Sequence, residues 1–235
     1  VSKSSRRGAT FGAIFHSSLI AALFGFGLYV DRTDPQAPLT ALAASEQAVL
    51  AREEASPQVR QLVQWATLTG DHDSLPFVVI DKARARLFAF DGEGHLRGTG
   101  PVLLGAAHAD EPGAAATPAG RFVADAWLSA RGDGIVWANA DGELALHALP
   151  SRLAPGRGLQ RLASARVEDK RISEGSLHVA ADFYRDCLGA LRSHPSIAYV
   201  IPETRPVEYF FGSYAADHWD LIAQSARRAP GRRPS

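Results

Sequence analysis

The chain has 235 residues, 46% hydrophobic and 21% charged, with 25 Lys+Arg against 25 Asp+Glu and hence a formal net charge of zero. That composition excludes a largely disordered chain, and the length suits one sizeable domain with appendages. Zero net charge also argues against the basic surface through which proteins displace counterions from phosphates, so no nucleic-acid partner is expected.

The N-terminus carries Lys3, Arg6 and Arg7, followed by an uncharged, mostly apolar run from Gly8 to Val30 and then Asp31, Arg32 and Asp34. About 20 apolar residues cross a bilayer as a helix, and the positive flank predicts a cytoplasmic N-terminus. Residues 1–38 are therefore expected to hold an inner-membrane anchor, or else a signal peptide cleaved near Ala41-Leu42-Ala43. Either arrangement exports the remainder of the chain to the periplasm or cell envelope.

Residues 39–74 show helical spacing of Leu50, Val59, Leu62, Val63 and Leu68, divided by Pro57. Ser56 before Pro57 is an N-cap with proline at the first helical position, and Gly70 is a stop. Two helices, 40–54 and 57–69, are expected, packed on the following domain or serving as a stalk. Asp71 and Asp73 beside His72 form a polar loop rather than a cation site.

From Leu75 the pattern turns to short β-like runs, at 77–80, 86–90, 96–99, 102–104, 121–127, 135–138, 144–147 and 198–201. Asp91-Gly92-Glu93-Gly94 is a turn signal between two of them. One helix is expected near 180–191, where Phe183, Cys187 and Leu191 share a face. The single cysteine, Cys187, excludes an intramolecular disulfide and any multi-cysteine metal site, and is expected as a buried core residue. The fold class is mainly β, a β-rich α+β domain over 75–212. Hairpin-length connections predict mostly antiparallel pairing. The tail 213–235 ends in an Arg/Pro-rich segment expected to be solvated.

Several stretches in order carry a family resemblance. Arg171-Ile172-Ser173-Glu174-Gly175-Ser176-Leu177-His178-Val179 resembles the nucleophile loop of the L,D-transpeptidases (the YkuD-type catalytic domain), with Ser176 where that family has its catalytic cysteine. Leu75 to Lys82, and Leu87-Phe88-Ala89-Phe90 after it, are similar to the family's entry strands. Thr117-Pro118-Ala119-Gly120-Arg121-Phe122 is similar to its T-P-x-G-x-F turn, and Leu146-His147-Ala148 to the segment with its catalytic histidine. The resemblance implies an antiparallel β-sandwich with a packed helix, acting on peptidoglycan stem peptides as partners without a cofactor or metal.

Carried over residue by residue, the resemblance makes His147 the general base. Ser176 takes the nucleophile position, and Gly175 with Ser176 supplies N–H groups to the oxyanion. Arg171, Ser173, Glu174 and His178 become candidates for framing or contacting substrate; a salt-bridged loop arginine, a turn serine and a solvent-facing histidine are the plain alternatives. The substitution predicts impaired catalysis, because a cysteine beside histidine ionises near neutral pH whereas serine must lose its proton during attack. Glu174 is the nearby acidic group that could support a histidine in a serine enzyme. An active serine acyltransferase or hydrolase, and a non-catalytic envelope scaffold, are the two alternatives. His72, His95, His108, His194 and His218 lack paired ligand spacing, so no metal is expected there.

Overall fold

The computed structural model describes residues 49–51, 53, 55–124, 134–149, 157–192 and 194–212. All of them belong to the unit Gln36–Ser235; the N-terminal apolar run, with its expected anchor or signal, falls in the unit Val1–Pro35, and it lies outside the described residues together with most of the first expected helix and the basic tail. Among the described residues no helix is long and apolar enough to cross a membrane.

Helix α1 (Pro57–Thr69) begins and ends where its capping residues dictate. The Ser56 hydroxyl accepts the Val59 N–H at 3.2 Å, and Gly70 closes the helix at φ 71°. Ten strands follow among the described residues: β1 (Phe77–Asp81), β2 (Arg86–Phe90), β3 (Leu96–Pro101), β4 (Leu104–Gly105), β5 (Gly120–Ala124), β6 (Ile135–Ala138), β7 (Glu143–Ala148), β8 (Arg171–Ser173), β9 (Leu177–Val179) and β10 (Ser196–Ile201). Between β7 and β8 run the short helix α2 (Arg157–Ala163) and a 3-10 turn, Glu168–Lys170. After β9, α3 (Ala181–Phe183) widens into a π turn (Tyr184–Leu188) and tightens into a 3-10 turn (Gly189–Arg192), rather than running as one α-helix.

Eight strands form one mixed sheet in the order β3-β2-β1-β10-β5-β6-β7-β9, while β4 and β8 pair separately. The chain leaving β3 reaches the far edge of the sheet, where Leu103 and His178 exchange backbone hydrogen bonds of 2.8 and 3.1 Å, so the sheet curls toward a barrel. Most strand pairs among the described residues are antiparallel, as expected, but the sheet is mixed. Pairs β1–β10, β7–β9 and β4–β8 are parallel. Short connections forbid parallel pairing only between consecutive strands, and these partners are brought together from distant parts of the chain.

Both faces of the central strands are covered, which explains their unbroken apolar runs. Val78 and Ile80 of β1 and Ala198 and Val200 of β10 face a core completed by Phe122, Trp137, Leu146, Leu177 and Leu188. Phe77, Val79, Ile197 and Tyr199 face the other way, onto Val59, Leu62, Val63 and Trp65 of α1 and its surroundings. Helix α1 thus packs on the sheet. Its exit loop is fastened there too: Arg121 Nε and the Tyr199 hydroxyl both donate to Asp71 Oδ2, at 2.8 and 2.5 Å. His72 is buried, with its ring nitrogens 3.0 and 3.1 Å from the carbonyls of Ala66 and Gly92.

Cys187 is half-buried rather than enclosed. With Phe183 it packs over the glycine-lined surface of β3, where a Cβ on Gly98 would stand 2.6 Å from the Cys187 sulfur. Burial pushes its thiol above the ordinary value, and Asp186 adds to that. The cysteine is a packing residue on β3, at the opposite end of the sheet order from β9.

Candidate functional site

Strands β7 and β9 bring two sequence-distant segments side by side. Leu146 and Leu177 pair in register and turn into the core, so the next residues, His147 and His178, pair on the opposite face. Their ring centres lie 5.5 Å apart at an interplanar angle of 36°. Burial, and then the neighbouring His147, push the His178 imidazole below its ordinary value, while the Ser176 carbonyl pulls upward. The His178 side chain is half-buried against His147.

Room for His147 comes from Gly134 at the entry to β6. A Cβ there would stand 2.5 Å from the Leu146 carbonyl oxygen and 2.7 Å from His147 Nδ1. The missing side chain is what lets the imidazole lie against this part of the backbone.

The segment leading to Ser176 is shaped by Ser173. Its hydroxyl donates to the Ser176 carbonyl at 2.6 Å and accepts the Gly175 N–H at 3.2 Å, making it a turn serine. Gly175 sits at φ +114°, and a Cβ would lie 2.7 Å from the Ala116 carbonyl oxygen, so the turn requires glycine twice over. Across from it, Thr117 is buried and makes a staple: its hydroxyl accepts the Gly105 N–H at 2.8 Å and donates to the Gly175 carbonyl at 3.0 Å.

Behind this loop lies a buried ionic cluster. Lys82 is fully buried and donates to Asp110 Oδ1 at 2.9 Å and to the carbonyls of Ala109 and Thr117 at 2.6 and 2.8 Å. Glu203 Oε1 stands 3.4 Å from the same ammonium, and Glu203 Oε2 pairs with the Arg171 guanidinium. Asp110 also accepts the N–H groups of Glu203, Thr204 and Arg205 and the Thr204 hydroxyl, at 2.6–2.9 Å. Burial alone would raise its carboxyl. The Thr204 hydroxyl, Lys82 and the N–H groups of Glu203 and Thr204 outweigh that and hold it well below the usual carboxylate range. The cluster ties the end of β1, the 109–117 loop, the start of β8 and the exit of β10 to one point.

The structure therefore distributes the residues singled out from sequence. His147, His178 and the Gly175–Ser176 turn occupy neighbouring backbone. Arg171 lies in the ionic cluster, as the salt-bridged loop arginine that the sequence also allowed. Glu174 is exposed, and among the described residues neither it nor Ser176 makes a side-chain hydrogen bond to His147. The Gly175 N–H already donates to Ser173, so a developing oxyanion there would compete with an existing bond.

Lys82, Asp110, Glu203 and Gly134 were not among the sequence candidates. Lys82 had a visible signal, a lysine directly after the last residue of β1; the others depend on contacts made across the chain.

No family model matches the chain, and no curated protein matches it. Among solved structures, a point mutant of the helical cell shape determining protein Pgp2 from Campylobacter jejuni is similar at a TM-score of 0.38 and 12% identity, over 69% of this chain and 61% of that one. A likeness at that level carries no functional inference, and the match leaves more than a third of the other chain uncovered.

Proposed function

We propose that this chain is an L,D-transpeptidase-like protein of the cell envelope that engages peptidoglycan stem peptides, with catalysis impaired by serine at the nucleophile position. In this reading the near-barrel sheet is a variant of the family's β-sandwich, and the apolar run 8–30 exports the domain and holds it at the inner membrane. The observation that carries the proposal is the parallel pairing of β7 with β9. It sets the histidine of the Leu146-His147-Ala148 segment beside the strand entered through Gly175 and Ser176, and these are the two segments of the resemblance that must meet for its chemistry.

Impairment has a physical basis in the same place. Loss of a nucleophile from a concerted site costs on the order of 10⁶ in kcat, and serine recovers part of that only when its histidine is held by a carboxylate and an oxyanion hole is free. Glu174 is exposed, and the Gly175 N–H is engaged by Ser173. These two observations favour a stem-peptide binder over an active serine acyltransferase.

The test incubates the full chain with muropeptides and follows D-alanine release and any acyl adduct on Ser176 by mass spectrometry, alongside co-sedimentation with purified cell wall. Cell-wall binding with little or no turnover is expected, and Ser176→Cys should add thiol-dependent release. Failure to bind cell wall, in both the wild type and the variant, would overturn the proposal.

A further inference from the structure

Strand β9 shuts the near-barrel with few bonds of its own. It is three residues long and lies at the end of the strand order, with β7 as its neighbour. On its other side His178 exchanges backbone hydrogen bonds with Leu103 at 2.8 and 3.1 Å, and past the end of β7 the Leu149 N–H donates to the Val179 carbonyl at 2.8 Å. Ser176 enters the strand directly before this seam.

Two imidazoles meet at its centre. His147 and His178 are cross-strand partners with ring centres 5.5 Å apart. His147 lies against the Gly134 backbone, where a Cβ would come within 2.7 Å of its Nδ1, so this ring has no room to retreat. His178 is half-buried, and its Nδ1 is cut off from solvent without a hydrogen-bond partner among the described residues. An imidazolium carries a proton on both nitrogens, so a cationic His178 would hold an N–H donor in a dry position with no acceptor. With His147 also protonated, two like charges would face each other across the seam. Burial and then His147 make the ring harder to protonate, outweighing the Ser176 carbonyl, which favours the cation. Among the described residues no other charged side chain faces it. Strands β4 and β6 and residues 101–105 carry none, Glu143 and Glu174 are exposed, Arg171 is turned into the ionic cluster, and Asp182 is exposed and paired with Arg185.

We infer that the His147–His178 pair is an acid-sensitive latch: protonation of His178 turns its ring out toward water and loosens β9 from β7 and Leu103, freeing the Gly175–Ser176 turn. Strand β9 is the part that yields, because β7 is held between β6 and β9 whereas β9 is an edge. A ring that takes its proton less readily in the closed seam stabilises that seam above its ordinary value of 6.5, and the stabilisation is lost as pH falls below it. The carboxyl of Asp110 responds only in stronger acid, so the two effects separate. The latch does not require the stem-peptide reading and its experiment uses no peptide, so either claim can fail without the other.

The experiment follows hydrogen exchange by mass spectrometry on the full chain in detergent, from about pH 8 to about pH 5, with rates corrected for intrinsic exchange. Protection in peptides covering Leu103, Leu149 and His178 should fall at least about threefold across this range, while peptides of β1 and β10 hold level. His178→Gln should keep the seam level throughout, and His147→Gln should reduce the fall, because the facing charge is gone. A second measurement needs no variant: the His178 imidazole resonances should titrate in step with the Leu103 amide. Level protection at the wild-type seam, an equal fall in either variant, an equal fall in β1 and β10, or an imidazole that titrates without moving the Leu103 amide would overturn the inference.

Discussion

Replacing Lys82 with methionine tests whether the ionic cluster holds the site loop in place. The side chain is fully buried, so methionine fills comparable space while removing the charge. Among the described residues, Asp110 would keep four donors, from Glu203, Thr204 and Arg205, but lose its only close cation, and the carbonyls of Ala109 and Thr117 would lose the ammonium. Removing one partner of a buried ion pair costs about 3–5 kcal/mol. For a chain of this size that corresponds to a fall of about 6–20 °C in Tm. Urea denaturation of Lys82→Met against wild type measures it, and the double variant with Asp110→Asn should recover part of the loss, because the unpaired buried carboxylate is then gone. A loss below about 1 kcal/mol would refute the reasoning, since it would mean that the cluster contributes nothing its apolar substitute does not.

The depressed carboxyl of Asp110 fixes the sign of an acid response: its stabilisation is present above the unfolded value near 3.8 and is lost as pH falls below it. Wild type should therefore lose stability steeply below about pH 4, and Asp110→Asn should start less stable and show a flatter acid limb in thermal melts. Gly134→Ala forces a Cβ against the Leu146 carbonyl and the His147 ring and should cost about 1–3 kcal/mol while shifting the His147 imidazole resonances; an unchanged NMR spectrum would contradict the packing. Thr117→Val removes both hydrogen bonds of the staple and should cost about 1–3 kcal/mol, with faster amide exchange at Gly105; protection at the wild-type level would exclude the staple.

How much was legible in the sequence depended on whether the information was local. Helix α1 was written in Ser56, Pro57 and Gly70, each acting on its immediate neighbours, and β2 and β6 took the bounds that their apolar runs indicated. Strands β8 and β9 escaped because three residues each, with polar side chains among them, carry no periodic signal. The parallel pairs escaped for a different reason: alternation along β1 says which residues face each core, but nothing in Phe77–Asp81 identifies β10 as the neighbour. At the site, the resemblance drew attention to the Gly175–Ser176 turn and His147. It did not reveal that His178 stands against His147, nor that Lys82 and Asp110 brace the loop, because those relations exist only after the chain has folded.

The central claim is that stem peptides bind where β7 meets the Ser173–His178 segment. Hydrogen exchange with mass spectrometry, on the full chain with and without a saturating stem tetrapeptide, tests it most directly. Slowed exchange confined to peptides covering Leu146–Ala148 and Ser173–Val179 is the predicted result. Unchanged exchange in both segments, with or without protection elsewhere, would contradict it.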